Sequence, residues 1–368
     1  MTKAGSPCKL PSLDGWRAVS IALVLVAHCT FTAGFPAALV PGIKWLQLGS
    51  LGVQFFFVIS GFLITWLLLQ EQTRHGDISL NHFYLRRALR ILPVYFFYLF
   101  VVGCLTCFVQ TPADWLANVT FTTNYFQIPG PTAHFWSLGV EEQFYLLWPG
   151  LLVLLLNRQK NGGRANLLKF LLVPLVAVPL IRIIECKHWY PHQPEAWHHL
   201  FATGSFFMRS DSLAYGCLAA ILFANRRKDL ERFFEKHPRV IAWGGAGLVL
   251  APVALKLAHL PARFQNAGFE SLQAIGFSLL LLQSVLYPSR GFYRVLNWKC
   301  VKHVGVLSYS IYIWQQMFCG TSESVFGIKD AWWTNFPVWL ITALLAAHAS
   351  YYLLEKPLLG LRARFREA

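Results

Sequence analysis

About ten apolar stretches, each of roughly 20 residues, run through this chain, and they constrain its fold more than any other feature. Inside lipid every backbone amide and carbonyl needs an internal partner, so stretches of this length form helices. The spans are expected near 18–40, 48–70, 91–110, 139–156, 168–186, 206–224, 240–258, 269–287, 304–322 and 335–355. Composition agrees: 55% of the residues are hydrophobic, only 13% are charged, and the mean hydropathy is +0.45. A soluble domain would carry about twice that charged fraction. The first span ends too polar for a signal-peptide cleavage site, so it reads as a permanent helix. The expected fold is therefore all-α, a polytopic membrane protein with residues 1–368 as one membrane-embedded domain and no fused soluble domain.

Basic residues set the orientation. The N-terminus, the connections at 71–90 and 157–169, the segment 226–239, the segment 290–302 and the C-terminal tail hold most of the 32 lysines and arginines. These are alternate connections, and the stretch 111–140 between two of them has no basic residue. Such alternation puts both termini on the cytoplasmic side. It also accounts for the net charge of +15 without a nucleic-acid partner, since basic loops beside anionic lipid are the usual cause.

Ionisable groups at bilayer depth are costly, so they face a protein interior and are functional candidates. The first span offers Arg17 at its entrance and His28 near its middle. Eleven helical steps advance about 16 Å and return to within roughly 20° of the starting face, which puts both on one stripe. The cluster Arg86-Arg87-Ala88-Leu89-Arg90 opens the third span. Its three- and four-residue spacings put at least one arginine pair on a common face. Guanidinium groups bind phosphate through paired donors, although basic residues flanking a span also act as plain topology anchors.

On the opposite side Phe135-Trp136-Ser137-Leu138-Gly139-Val140-Glu141-Glu142 opens the fourth span. Adjacent carboxylates point about 100° apart on a helix, so Glu141 and Glu142 take different jobs: a base or hydrogen-bond acceptor, and a partner for a basic residue. Ser137 is a candidate cap for this helix, with the glutamates near its positive end. Arg209, Asp211 and Glu355 read as members of structural ion pairs, and Arg182 has no partner evident in the sequence.

Other polar residues read as background. Cys104 and Cys107 form a C-x-x-C with no second pair beside it, and the eight cysteines read as free, small apolar residues rather than metal or redox ligands. The histidines between 188 and 199 lie among Trp189, Tyr190 and Trp197 and read as an interfacial aromatic loop. No metal site is expected.

Taken in order, these blocks resemble the membrane-bound acyltransferase-3 family, the O-acyltransferases of surface polysaccharides and related glycans. The resemblance rests on Leu13-Asp14-Gly15-Trp16-Arg17 with His28, on 51–64 (LGVQFFFVISGFLI), on the 86–90 arginine cluster, and on Phe135-Trp136-Ser137-Leu138-Gly139-Val140-Glu141-Glu142-Gln143-Phe144-Tyr145. Ser308-Tyr309-Ser310-Ile311-Tyr312-Ile313-Trp314 and Glu355-Lys356-Pro357 complete it. It implies an acyltransferase of the bacterial cytoplasmic (inner) membrane that takes an acyl group, acetyl by default, from acyl-CoA to a carbohydrate hydroxyl (O-acetylation, as on a polysaccharide). His28 would be the essential catalytic group, with Glu141 and Glu142 toward the acceptor and Arg17, Arg86, Arg87 and Arg90 at the CoA end. The chain departs from many relatives at Gln54, where they carry an acid, and at Gln315-Gln316-Met317, where they carry His-x-Pro. A secondary transporter of a small polar solute or acylated metabolite is the alternative class, but the paired halves with broken helices that such carriers often show are not evident.

Overall fold

The first helix, α1, runs from Leu13 to Cys29 in the computed structural model, which describes residues 10–106, 110–126, 128, 130–157, 164–188, 205–257, 262–319 and 331–361. After it come α2 (Val40–Leu46), α3 (Leu48–His75), α4 (Leu80–Leu105), α5 (Pro112–Val119), α6 (Phe135–Asn157) and α7 (Arg164–His188). The second half holds α8 (Phe206–Asn225), α9 (Arg227–Lys236), α10 (Pro238–Leu257), α11 (Ala262–Leu286), α12 (Tyr293–Leu296) and α13 (Lys299–Phe318). The last is α14 (Val338–Ser350), which passes through a π-helical turn at Tyr351–Glu355 into α15 (Lys356–Leu361). No strand occurs among the described residues.

Each expected span overlaps one of these helices, and among the described residues six helical segments are long and apolar enough to cross a membrane: 48–75, 80–105, 135–157, 206–225, 269–286 and 338–360. The chain is thus an all-α membrane protein. Helix α1 stops at Cys29, well before the expected end of the first span at 40. Helices α4 and α6 start earlier than expected, at Leu80 and Phe135. The Ser79 side chain caps α4 by accepting from the His82 amide, so the helix begins before its arginines.

Helix α3 is the central element, with 72% of its apolar window buried against 39% for α4 and 28% for 338–360. It packs on α1, α8 and α11, while α1 also packs on α13. Two glycines let α3 and α8 approach closely: a Cβ on Gly61 would overlap the Leu213 carbonyl, and one on Gly216 would overlap that of Val58. Small residues at such crossings bring backbones together where lipid supplies no hydrophobic drive between helices. Large side chains left exposed, such as Leu146, Leu147 and Leu154 on α6 and Leu345 and Leu353 on 338–360, face outward as lipid-facing residues do.

Candidate active site

Five helices line one pocket inside the bundle. Arg17 comes from α1; Val53, Phe56, Phe57 and Ser60 from α3; Arg87 and Arg90 from α4; Ser137, Glu141, Glu142 and Tyr145 from α6; Ser308, Tyr309 and Tyr312 from α13. Three guanidinium groups and two carboxylates therefore meet within a largely apolar wall. The sequence expectation that arginines and glutamates lie toward opposite faces is corrected here. Helix α6 begins at Phe135, so Glu141 and Glu142 fall on its second turn, deep enough to reach the arginines.

The polar contacts in the pocket are ordered. Ser60 Oγ donates to Glu141 Oε1 at 2.6 Å, and Tyr145 Oη donates to Ser60 Oγ at 2.9 Å. The Arg87 guanidinium stands over the Tyr145 ring, its Cζ 4.4 Å from the centroid. A cation over an aromatic face is attracted by the ring quadrupole and keeps its N–H groups free for other acceptors. Among the described residues, neither Arg87 nor Arg90 has a carboxylate within ion-pairing distance. Arg86 is not brought into this group. It turns away and pairs with Glu71 at 2.9 Å, because residues 86 and 87 project about 100° apart on the helix.

His28 lies outside the pocket lining. The sequence placed it near mid-span; instead it is the penultimate residue of α1, at the end opposite Arg17. Its Nδ1 is 2.5 Å from Gln315 Oε1 on α13, and the Cys319 thiol donates to its carbonyl at 3.2 Å. A second histidine, His134, sits nearby at the start of α6. Its Nε2 donates to the Ile313 carbonyl at 3.2 Å, and its ring centroid is 5.2 Å from that of Tyr312.

Tyr312 links the two regions. Its hydroxyl donates to the His134 carbonyl at 2.8 Å and accepts from Ser137 Oγ at 2.5 Å, while the same two side chains line the arginine pocket. Ser137 is thus an interior helical residue rather than the cap expected from sequence. Residues 134, 312 and 315 were not singled out as site candidates by residue type. A polar signal did exist: His134 immediately precedes Phe135-Trp136-Ser137, and Tyr312 falls three residues after Tyr309, on the same helical face.

A second buried polar cluster lies apart from this pocket. Arg182 finds its partner in Asp211, through bonds of 2.8 and 3.0 Å, and is also 3.0 Å from Glu270. Arg209 pairs with Glu270 at 2.5 Å and stands 5.4 Å from the Trp136 ring centroid. Gln54 donates to the Glu270 carbonyl and, at 3.4 Å, to Ser212 Oγ. Arg209 and Asp211 each form an ion pair, as expected, but with different partners: Glu270 for Arg209 and Arg182 for Asp211. Glu355 differs: its recorded bond comes from the Ser310 hydroxyl.

Cys104 is free and exposed rather than buried, Cys300 is also exposed, and Cys29, Cys217 and Cys319 are buried and free. Cys107 and the histidine and tryptophan positions 189–199 lie outside the described residues. Among the described residues no group of three or more His, Cys, Asp or Glu is placed to hold a metal ion.

The family model of the acyltransferase-3 acyltransferase domain matches residues 10–355. The chain is 28% identical to the O-acetyltransferase OatA of Staphylococcus aureus, with 97% of this chain and 58% of that protein covered. It is 24% identical to the peptidoglycan O-acetyltransferase OatA of Listeria monocytogenes, with 95% of this chain and 56% of that protein covered. The chain spans a little over half the length of these curated relatives. No solved structure matches it. With a family match over nearly its whole length, from the Arg17 block through the glutamates to Glu355, the chain belongs to the acyltransferase-3 family.

Proposed function

We propose that this protein is an integral-membrane O-acyltransferase that moves an acetyl group from acetyl-CoA to a hydroxyl of a glycan in the bacterial cell envelope. The observation that carries the reading is the convergence of Arg17, Arg87 and Arg90 on one pocket inside an apolar bundle. Coenzyme A is a polyanion with a diphosphate and a ribose phosphate, and guanidinium groups suit those oxygens. Burying three cations in a membrane is costly unless an anionic ligand visits them. Glu141, tied to Ser60, and Glu142 line the same pocket and supply counter-charge near the arginines. Arg86, paired with Glu71, serves as an anchor.

In this scheme the pantetheine arm runs from the arginines past Tyr312 toward His28, roughly 16 Å further along α1. An acceptor hydroxyl attacks the thioester carbonyl carbon there, and His28 removes its proton as general base. The tetrahedral intermediate collapses with cleavage of the C–S bond. CoA leaves as a thiolate that takes up the proton, and the acceptor keeps the acyl group as an ester. The basic-residue pattern supports a cytoplasmic donor side in the inner membrane, with both termini there. The glycan would then arrive from the His28 end, so that an acyl group crosses the bilayer while CoA does not.

The names of the two relatives support acetyl as the group and peptidoglycan as the first acceptor to try. Nothing in them supports the transporter alternative. The test is transfer of radiolabel from acetyl-CoA to glycan strands in proteoliposomes. Label that reaches the glycan only when donor is present on the side of the termini supports the scheme. Label that accumulates as free acetate, with none on any glycan, contradicts it.

A further inference from the structure

Gln315 is fully buried in the bundle, at 0% exposure, although an apolar residue there would be cheaper in a membrane helix. Among the described residues its side chain has one recorded hydrogen-bond partner, the imidazole of His28, and its own Nε2 meets none. With the Gln315 amide oxygen, which has no proton to give, facing the ring at 2.5 Å, the hydrogen sits on His28 Nδ1. A neutral imidazole carries one N–H, and fixing it on Nδ1 leaves Nε2 as a bare lone pair. His134 shows the reverse arrangement, since its Nε2 faces the Ile313 carbonyl and therefore carries the hydrogen. Two histidines near one another are thus held in opposite tautomers by their partners on one helix, α13.

We infer that Gln315 is a positioning residue that locks His28 in the Nδ1–H tautomer, so that its Nε2 is the atom that accepts the acceptor's proton. The inference rests on the proposed role of His28 as base and adds which nitrogen acts and what selects it. Asp and Glu often orient a catalytic imidazole and also stabilise its cation. A neutral amide orients it without adding charge beside it.

The direct test is 15N NMR of histidine-labelled protein in lipid, with the His28 signal identified by its loss in His28→Gln. The wild type is expected to show His28 with a protonated Nδ1 and a bare Nε2. A protonated Nε2 in the neutral ring overturns the inference. Kinetics give the second arm. Gln315→Leu is expected to lower kcat at least tenfold, with KM for acetyl-CoA changed less than twofold. Gln315→Glu, which keeps an acceptor oxygen at that place, is expected to recover most of the loss. A Gln315→Leu enzyme with wild-type kcat, or a Gln315→Glu enzyme no better than Gln315→Leu, contradicts the positioning role. His28→Ala is run alongside: if that variant still transfers acetyl, the general-base reading itself fails, whatever the tautomer.

Discussion

The hydroxyls of Ser137 and Tyr312 meet at 2.5 Å, where the arginine pocket ends and the histidine layer begins. Tyr312 completes the junction by donating to the His134 carbonyl. Tyr312→Phe removes this donor and leaves the His134 carbonyl without that bond, a loss of about 1–3 kcal/mol for a buried group. The thermal midpoint in detergent should fall measurably, with a smaller fall for Ser137→Ala because His134 keeps its bond from Tyr312. Equal midpoints for Tyr312→Phe and wild type would mean that the junction contributes nothing to the bundle.

The arginines separate into two kinds, and kinetics should separate them the same way. Arg87→Ala and Arg90→Ala should raise KM for acetyl-CoA by about tenfold or more each, the scale of a lost charged hydrogen bond, and leave KM for the glycan nearly unchanged. Arg86→Ala should leave both constants alone, since Arg86 is paired with Glu71 away from the pocket. Added salt should weaken donor binding in the wild type. Equal donor defects at positions 86 and 87 would show that the cluster acts as a diffuse basic edge rather than as a pocket.

The buried pair Arg182–Asp211 sets up a stability test away from the chemistry. Asp211→Ala removes the bidentate partner of a buried guanidinium and leaves Arg182 to share Glu270 with Arg209. This should cost up to about 3–5 kcal/mol and shrink the folded peak in a detergent gel-filtration profile. Replacing both together, Arg182→Met with Asp211→Leu, should restore a large part of the monodisperse peak. A double variant as poor as the single one would mean that the cluster's other members, Glu270 and Arg209, depend on both charges.

The sequence reading found the all-α membrane fold and the blocks that line the site, because apolar runs and buried charges are both written in composition. Its helix starts at α1 and α4 are late for one reason: an apolar run stops at Arg17 or Arg90, whereas the helix continues through them when their side chains turn inward. At α6 the expected start at 139 is four residues late, so Glu141 and Glu142 read as lying at the mouth of the span, across the bilayer from the arginines whose pocket they share. His28 was placed too deep because the apolar tail at 36–40 looked continuous with α1, which stops at Cys29. Glu270 and Gln315 were invisible as partners, since each acquires its role from a residue more than 60 positions away in sequence.

Orientation can be checked with single cysteines in a background lacking the native ones. His75→Cys, at the exposed end of α3, should be shielded from a membrane-impermeant thiol reagent in intact cells. Ala113→Cys, on the exposed start of α5, should react readily. The opposite pattern would invert the protein and put donor and acceptor on sides other than those proposed.

The account depends most on His28, and acetyl transfer by purified His28→Ala in proteoliposomes tests it most directly. The variant should insert and bind acetyl-CoA like the wild type, because the arginine pocket does not include residue 28. Transfer of label to the glycan should nevertheless fall by at least about 100-fold, the lower range expected for loss of a general base. Transfer at the wild-type rate by this variant would contradict the assignment of His28, and with it the path proposed from the arginine pocket to the far end of α1.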